Sequence, residues 1–213
     1  MKIVKIVLVS SVFVSQVFAS TARTGIFLST DAGYMNFSGT SNSIQYNNDS
    51  VSISLSGGAG ASFLIGYQYA LNPYIAIGIK TGAIYGAVAG ETVTSSQTPS
   101  ITMNATQVWY YPLLASFNLV TLSGIFLTAD GGLSYNHANF TVIDTANIAN
   151  TTIAENHNST NPLASMSLGY QFNMGLSLYF KYTHVFNSLK KDTYQDLLTG
   201  NMYMLGVSYV FGD

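Results

Sequence analysis

The chain has 213 residues, of which only 8% are charged, against about 25% in an average soluble domain. Hydrophobic residues reach 48%, with 15 Tyr, 12 Phe and one Trp, so neither a disordered chain nor an ordinary cytosolic domain fits. Cys is absent, which excludes a disulfide framework and a thiolate metal site, and a pI near 5.8 without a basic patch excludes a nucleic-acid backbone as partner.

The N-terminus carries Lys2 and Lys5, then the apolar run 6–14, then small residues at Val17 and Ala19 that suit a signal peptidase. The run is shorter than the roughly 20 residues of a transmembrane helix. Residues 1–19 are therefore expected to be a cleaved signal peptide, with Ser20 the mature start and 20–213 a single domain. Losing Lys2 and Lys5 moves the formal charge from −2 to −4. The mature chain would be exported. Beyond Ser20 no apolar stretch approaches 18 residues, so a helical membrane protein is excluded.

The remaining apolar residues alternate. In 25–37, Ile26, Leu28, Ala32 and Tyr34 oppose Ser29, Asp31 and Gly33. In 60–69, Ala61, Phe63, Ile65, Tyr67 and Tyr69 oppose Gly60, Ser62, Gly66 and Gln68. In 74–85, Ile75, Ile77, Ile79, Ala83 and Tyr85 oppose Ala76, Gly78, Lys80 and Gly82. Further strands read over 107–119, 125–135, 162–172, 175–186 and 201–211. Eight strands of about ten residues, bulky on one face and small or polar on the other, fit an antiparallel up-and-down transmembrane β-barrel. The small face suits the narrow interior of eight strands.

Short connections at 70–73, 120–124 and 173–174 alternate with long ones at 38–57, 86–106, 136–161 and 187–200. Short periplasmic turns and long outer loops would put both termini in the periplasm. Aromatics gather at strand ends: Tyr67, Tyr69, Tyr74 and Phe117 near short turns, Tyr85, Trp109, Tyr111 and Tyr135 near long ones. Two interfacial girdles are expected.

Within the strand interiors only Asp31, Lys80, Asp130 and Lys181 are charged, all on the small-residue face. Each lies six residues after Gly25, Tyr74, Gly124 or Gly175, on a strand rising from the short-turn end. A rise of ~3.3 Å per residue at a tilt of ~40° puts all four about 15 Å up, near mid-membrane. Acid and base alternate around the barrel. The expectation is a charge-neutral, hydrogen-bonded network across the lumen that plugs it, because a buried charge persists only when paired.

The stretches Gly25 to Tyr34, Trp109 to Leu114 and Leu205 to Phe211 resemble the eight-stranded outer-membrane barrels typified by the OmpA transmembrane domain and the opacity-type surface proteins. The resemblance covers the whole mature chain and lies in pattern rather than in an invariant motif. It implies a location in the bacterial outer membrane among lipid and lipopolysaccharide. It also implies a last strand read by the barrel-assembly machinery, carried here by Gly206, Tyr209 and Phe211. Gly212 and Asp213 follow Phe211, where the family ends on the aromatic itself. OmpA-like proteins often carry a soluble peptidoglycan-binding domain, and this sequence stops before one.

Lipid A deacylases on this scaffold pair a His with a Ser two residues on, and 182–188 is similar, but Phe186 stands at that position after His184. Ser188, with Asp192 or Asp196, would have to complete a triad. His137, His157, Asp144 and Glu155 share one connection without diagnostic metal spacing, and Lys190-Lys191 is the single basic pair. Asn139 and Asn158 match glycosylation sequons, which a bacterial-type export signal makes plain loop residues. The expected protein is a monomeric, non-enzymatic surface barrel without cofactor or metal, contributing to envelope integrity. The family further implies host adhesion through the loops. The alternatives are a narrow pore for small solutes and a lipid A-modifying enzyme using His184.

Overall fold

A computed structural model describes residues 20–37, 42–46, 49–53, 57–87, 91–95, 101–144, 151–186 and 200–212. Residues 1–19, expected to be a signal peptide, lie outside the described residues with Lys190-Lys191, Ser188, Asp192 and Asp196, as do the side chains of Asp144, Glu155 and His157. The strands are β1 (Gly25–Phe37), β2 (Asn42–Tyr46), β3 (Asp49–Ile53), β4 (Gly58–Asn72), β5 (Ile75–Ala87) and β6 (Glu91–Ser95). They continue as β7 (Ile101–Val120), β8 (Ile125–Asp144), β9 (Thr151–Gln171), β10 (Leu176–Val185) and β11 (Gly200–Phe211).

Eight of them form a closed antiparallel ring in the order β1, β4, β5, β7, β8, β9, β10, β11. The seam joins the first strand to the last, from Ile26 opposite Phe211 to Phe37 opposite Gly200. Closure leaves the ring itself without an edge, so within it each strand pairs with a neighbour on both sides, as a lipid environment demands.

The turns at one end are tight for identifiable reasons. Asn72 Oδ1 accepts the amides of Tyr74 and Ile75 at 2.8 and 2.9 Å, closing the β4–β5 turn around Pro73. The β7–β8 and β9–β10 turns share one geometry: the amides of Gly124 and Gly175 bond the carbonyls of Thr121 and Phe172, both at 2.9 Å. Their φ angles of 87° and 86° require glycine there.

At the other end the structure departs from the expectation of long irregular connections. The β8–β9 ladder continues from the barrel out to Asp144 opposite Thr151, and β7 runs beside β8 to Ile101 opposite Asp144. β2 and β3 form a hairpin, and β6 joins β3 to β7. β7 and β8 have 20 residues each and β9 has 21, about twice what crosses a membrane. In these extensions the sequence loses the strict period-two alternation, although β-branched runs such as Thr141-Val142-Ile143 still favour the ladder.

The alternation decides what faces where. Outward side chains are large and apolar, Leu205 being 70% exposed and Ile79 and Leu113 each 64%. An exposed apolar surface of this extent, encircling the ring, is a lipid-facing surface. At the hairpin end Tyr85, Trp109, Tyr111 and Tyr135 form an outward ladder with ring centroids 4.9, 6.3 and 6.4 Å apart. At the turn end Tyr209 and Phe211 meet edge-on at 4.6 Å, and Tyr170 and Phe172 at 5.0 Å.

Candidate functional site

The inward positions build the site. Asp31, Lys80, Asp130 and Lys181 all point into the lumen, and the register gives each carboxylate its neighbours. Asp31 lies opposite Ser62 on β4 and Gly206 on β11; Asp130 lies opposite Ser116 on β7 and Ser165 on β9. Ser62 donates to Asp31, and Ser165 donates to Asp130 Oδ2 at 2.8 Å.

The charges meet as two pairs. Lys80 Nζ stands 2.9 Å from Asp130 Oδ1, and Lys181 bonds Asp31 Oδ2 while also reaching Ser62 Oγ at 3.3 Å. Lys80 additionally sits 4.7 Å above the Phe27 ring centroid, a cation–π contact. Asp31, Lys181 and Asp130 are 2%, 4% and 6% exposed. Burial of that degree would be costly for lone charges and is met here by opposite charge plus a serine hydroxyl on each acid. Each pair reaches across one intervening strand, β11 for Asp31–Lys181 and β7 for Lys80–Asp130. Lys80, Asp130 and Lys181 also share one space, since a cavity of about 30 Å³ is lined by all three together with Ser29 and Tyr179. That volume is close to one water molecule.

Gly206 makes the first crossing possible. A Cβ at this inward position would overlap Asp31 Oδ1 and come within 2.7 Å of the Tyr179 ring. The missing side chain leaves the path open between Lys181 and Asp31. Of the residues expected to guide assembly, Gly206 thus faces the lumen, while Tyr209 and Phe211 face outward at the turn end.

Sequence reasoning missed the layer above. Met35, Ile84, Leu114, Leu163, Met202 and Met204 all point inward and are at most 2% exposed. Leu114 and Met204 stand directly opposite Lys80 and Lys181, and Met35 and Ile84 come four residues after Asp31 and Lys80 on rising strands, so the layer runs from beside the charges to about 10 Å above them. Met35 is directly opposite Met202 across the seam. The small-face description passed over these residues because it weighed Gly, Ser and charge and not bulk. The signal was present: Met202 and Met204 share the parity of Gly206 and Ser208. The lumen is therefore polar in its middle and filled toward the hairpin end by large apolar side chains beside the buried Ser134, Asn136 and Asn161.

His184 lies outside this site. It is half-buried on the outward face, its Nδ1 2.8 Å from Asn201 Oδ1 and its ring edge-on to Phe186 at 4.4 Å. Tyr182 Oη donates to the same Asn201 oxygen at 2.6 Å. His137 Nδ1 lies 2.7 Å from Asn158 Oδ1. Among the described residues no three His, Asp or Glu side chains gather as a metal site would need.

No family model matches the chain, and no curated protein matches it in sequence. Solved structures do. OprG from Pseudomonas aeruginosa aligns with 92% of this chain and 100% of its own at 11% identity, with a TM-score of 0.62. Ail, the attachment invasion locus protein of Yersinia pestis, aligns with 90% of this chain and 99% of its own at 13% identity and a TM-score of 0.51. Neisserial surface protein A covers 89% and 99% at 15% identity, also at 0.51. The fold is that of the eight-stranded outer-membrane β-barrels. Identities this low carry the architecture alone. In an outer-membrane barrel the apolar outward belt belongs against hydrocarbon and the paired charges against the protein's own interior.

Proposed function

We propose that this outer-membrane barrel is a non-enzymatic surface protein that works by what it displays. The observation that carries this reading is the filled lumen: two ion pairs at mid-height, topped by a layer of buried Met, Leu and Ile side chains. A barrel packed in this way stiffens the envelope and offers solutes no ready path. The short turns and both termini lie in the periplasm, and the ladder of β7, β8 and β9 projects beyond the outer leaflet as a rigid platform. Tyr209 and Phe211, outward on the last strand, are the residues offered to the assembly machinery. The aromatic girdles seat the monomer among lipid and lipopolysaccharide.

The projecting hairpins are the adhesive surface. Ail carries attachment and invasion in its name, and the reading for the present chain rests on display geometry, with that likeness in support. The test displays the full protein, and a version with all four long connections shortened, on a non-adherent bacterium at matched surface levels. Binding to host cells and matrix proteins should follow the full protein and vanish with the projections. Equal, negligible binding by both would refute adhesion. Planar-bilayer recordings address the lumen directly: the native protein should be silent, and Lys80→Ala should raise conductance. A native protein that already conducts steadily would refute the plugged barrel.

A further inference from the structure

Residues 20–24 precede β1 and belong to no ladder, yet each of them is hydrogen-bonded to the barrel. The Ser20 amide donates to Leu122 O at 3.4 Å in the β7–β8 turn, and the Ala22 amide to Pro73 O at 2.8 Å in the β4–β5 turn. In the opposite sense, Gln171 Nε2 donates to Thr21 O and Gln68 Nε2 to Arg23 O, both at 2.9 Å. Thr24 Oγ1 accepts the Ala70 amide at 2.9 Å. Arg23 completes the set, its guanidinium bonding Asn173 O in the β9–β10 turn and Gly212 O at 3.2 Å.

These partners come from all three short turns and from the end of the last strand. A five-residue segment can reach them all only by lying across the mouth of the barrel. Its alternate amides and carbonyls are bonded as an extended peptide would be, by the rim on one side and by two lumen glutamines on the other. Ala22 points upward into the lumen, 8% exposed, and packs with Ala76, Val120 and Phe126. Above that layer lies a polar cavity of about 20 Å³ lined by Gln68, Ser116, Asn118, Gln171, Ser177 and Ser208, with Lys80 also on its wall.

We propose that the short-turn mouth is a cleft for an extended peptide and that residues 20–24 occupy it as a displaceable stopper. Displacement leaves the barrel intact, because the segment contributes nothing to the ring of eight strands. It frees the Gln68 and Gln171 amides and opens the polar cavity beneath Lys80 and Asp130 to water from the short-turn side. Arg23 is the clamp, and the small size of Ala22 is what lets the segment sit. The inference rests on the turn-end geometry and stands apart from what the hairpins bind.

The chain has no Cys, so one introduced thiol reports cleanly. Ser208→Cys, a near-isosteric change on the cavity wall, is treated with a small charged methanethiosulfonate, and modification is followed by mass. The rate is compared in the Ser208→Cys background alone, with Ala22→Arg, which cannot fit beneath Phe126, and with Thr21→Arg, whose side chain is exposed. Heat-dependent gel mobility verifies that each barrel is folded. Ala22→Arg should speed modification about ten-fold or more, Arg23→Ala should act in the same direction, and Thr21→Arg should leave it unchanged. Hydrogen exchange gives a second readout: in Arg23→Ala the Ala22 amide should exchange faster while β1 amides such as Leu28 do not. Equal thiol reactivity in all variants overturns the proposal. So does a stopper whose amides exchange only together with β1.

Discussion

Lys181→Met keeps the side-chain length and removes the charge. Asp31 would remain buried, at 2% exposure, with the Ser62 hydroxyl still donating to it. Breaking one member of a buried pair costs about 3–5 kcal/mol, mostly the penalty of the charge left behind. Two local facts bear on where this pair falls in that range. Lys181 also bonds Ser62 Oγ, so the hydroxyl loses a partner too, which pushes the loss up. The methionine would continue the apolar layer of Met202 and Met204, which pushes it down. The expected loss is therefore about 3–4 kcal/mol. Asp31→Asn combined with Lys181→Met removes both charges and should return to within about 1–2 kcal/mol of the native protein. The cycle is measured by urea unfolding in phospholipid vesicles, followed through the fluorescence of Trp109, the single tryptophan. A loss below about 1 kcal/mol in Lys181→Met, or a double variant as unstable as the sum of the two singles, would refute the pairing argument.

Gly206→Ala should destabilise by about 1–3 kcal/mol, since its methyl displaces Asp31 or Tyr179, whereas Gly131→Ala has nothing within 4 Å and should be close to neutral. The same unfolding assay ranks the two, and equal effects would remove Gly206 from the pairing. Met202→Ala leaves a hole in the fully buried upper layer and should cost about 2–5 kcal/mol, while Met202→Leu should cost less than about 1.5 kcal/mol. Leu205→Arg puts a charge on the lipid face one residue from the level of Asp31 and should cost about 2–4 kcal/mol in vesicles. A tolerated Arg there would mean that this face is not against hydrocarbon.

The wall was legible in the sequence because a barrel strand has two environments and a strict period. Residues such as Phe63, Ile65 and Tyr67 announce the lipid side, and the four charges announce the other. The pairing partners were harder to read, because Ser62 and Ser165 look like any small inward residue until the register sets them beside Asp31 and Asp130. The methionine layer was hidden for a different reason. Large inward residues near the hairpin end break the small-face pattern, and in isolation each reads as an interruption. The stopper carried no periodic signal at all, being five residues held by main-chain bonds to distant turns. The projecting parts of β8 and β9 lost theirs where lipid ends.

One more consequence follows from the pair at the seam. Asp31 is on β1 and Lys181 on β10, so their bond crosses the junction that joins the chain's first strand to its last. A slip of that junction by two residues would keep every face correct and every backbone bond countable. It would also set Met204 or Ser208, in place of Gly206, between the acid and the base. The obstruction would leave two buried charges apart, an error that hydrogen bonding along the wall cannot detect. A missing side chain thus serves as the notch of a key, admitting one closure of the cylinder and rejecting its nearest counterfeits.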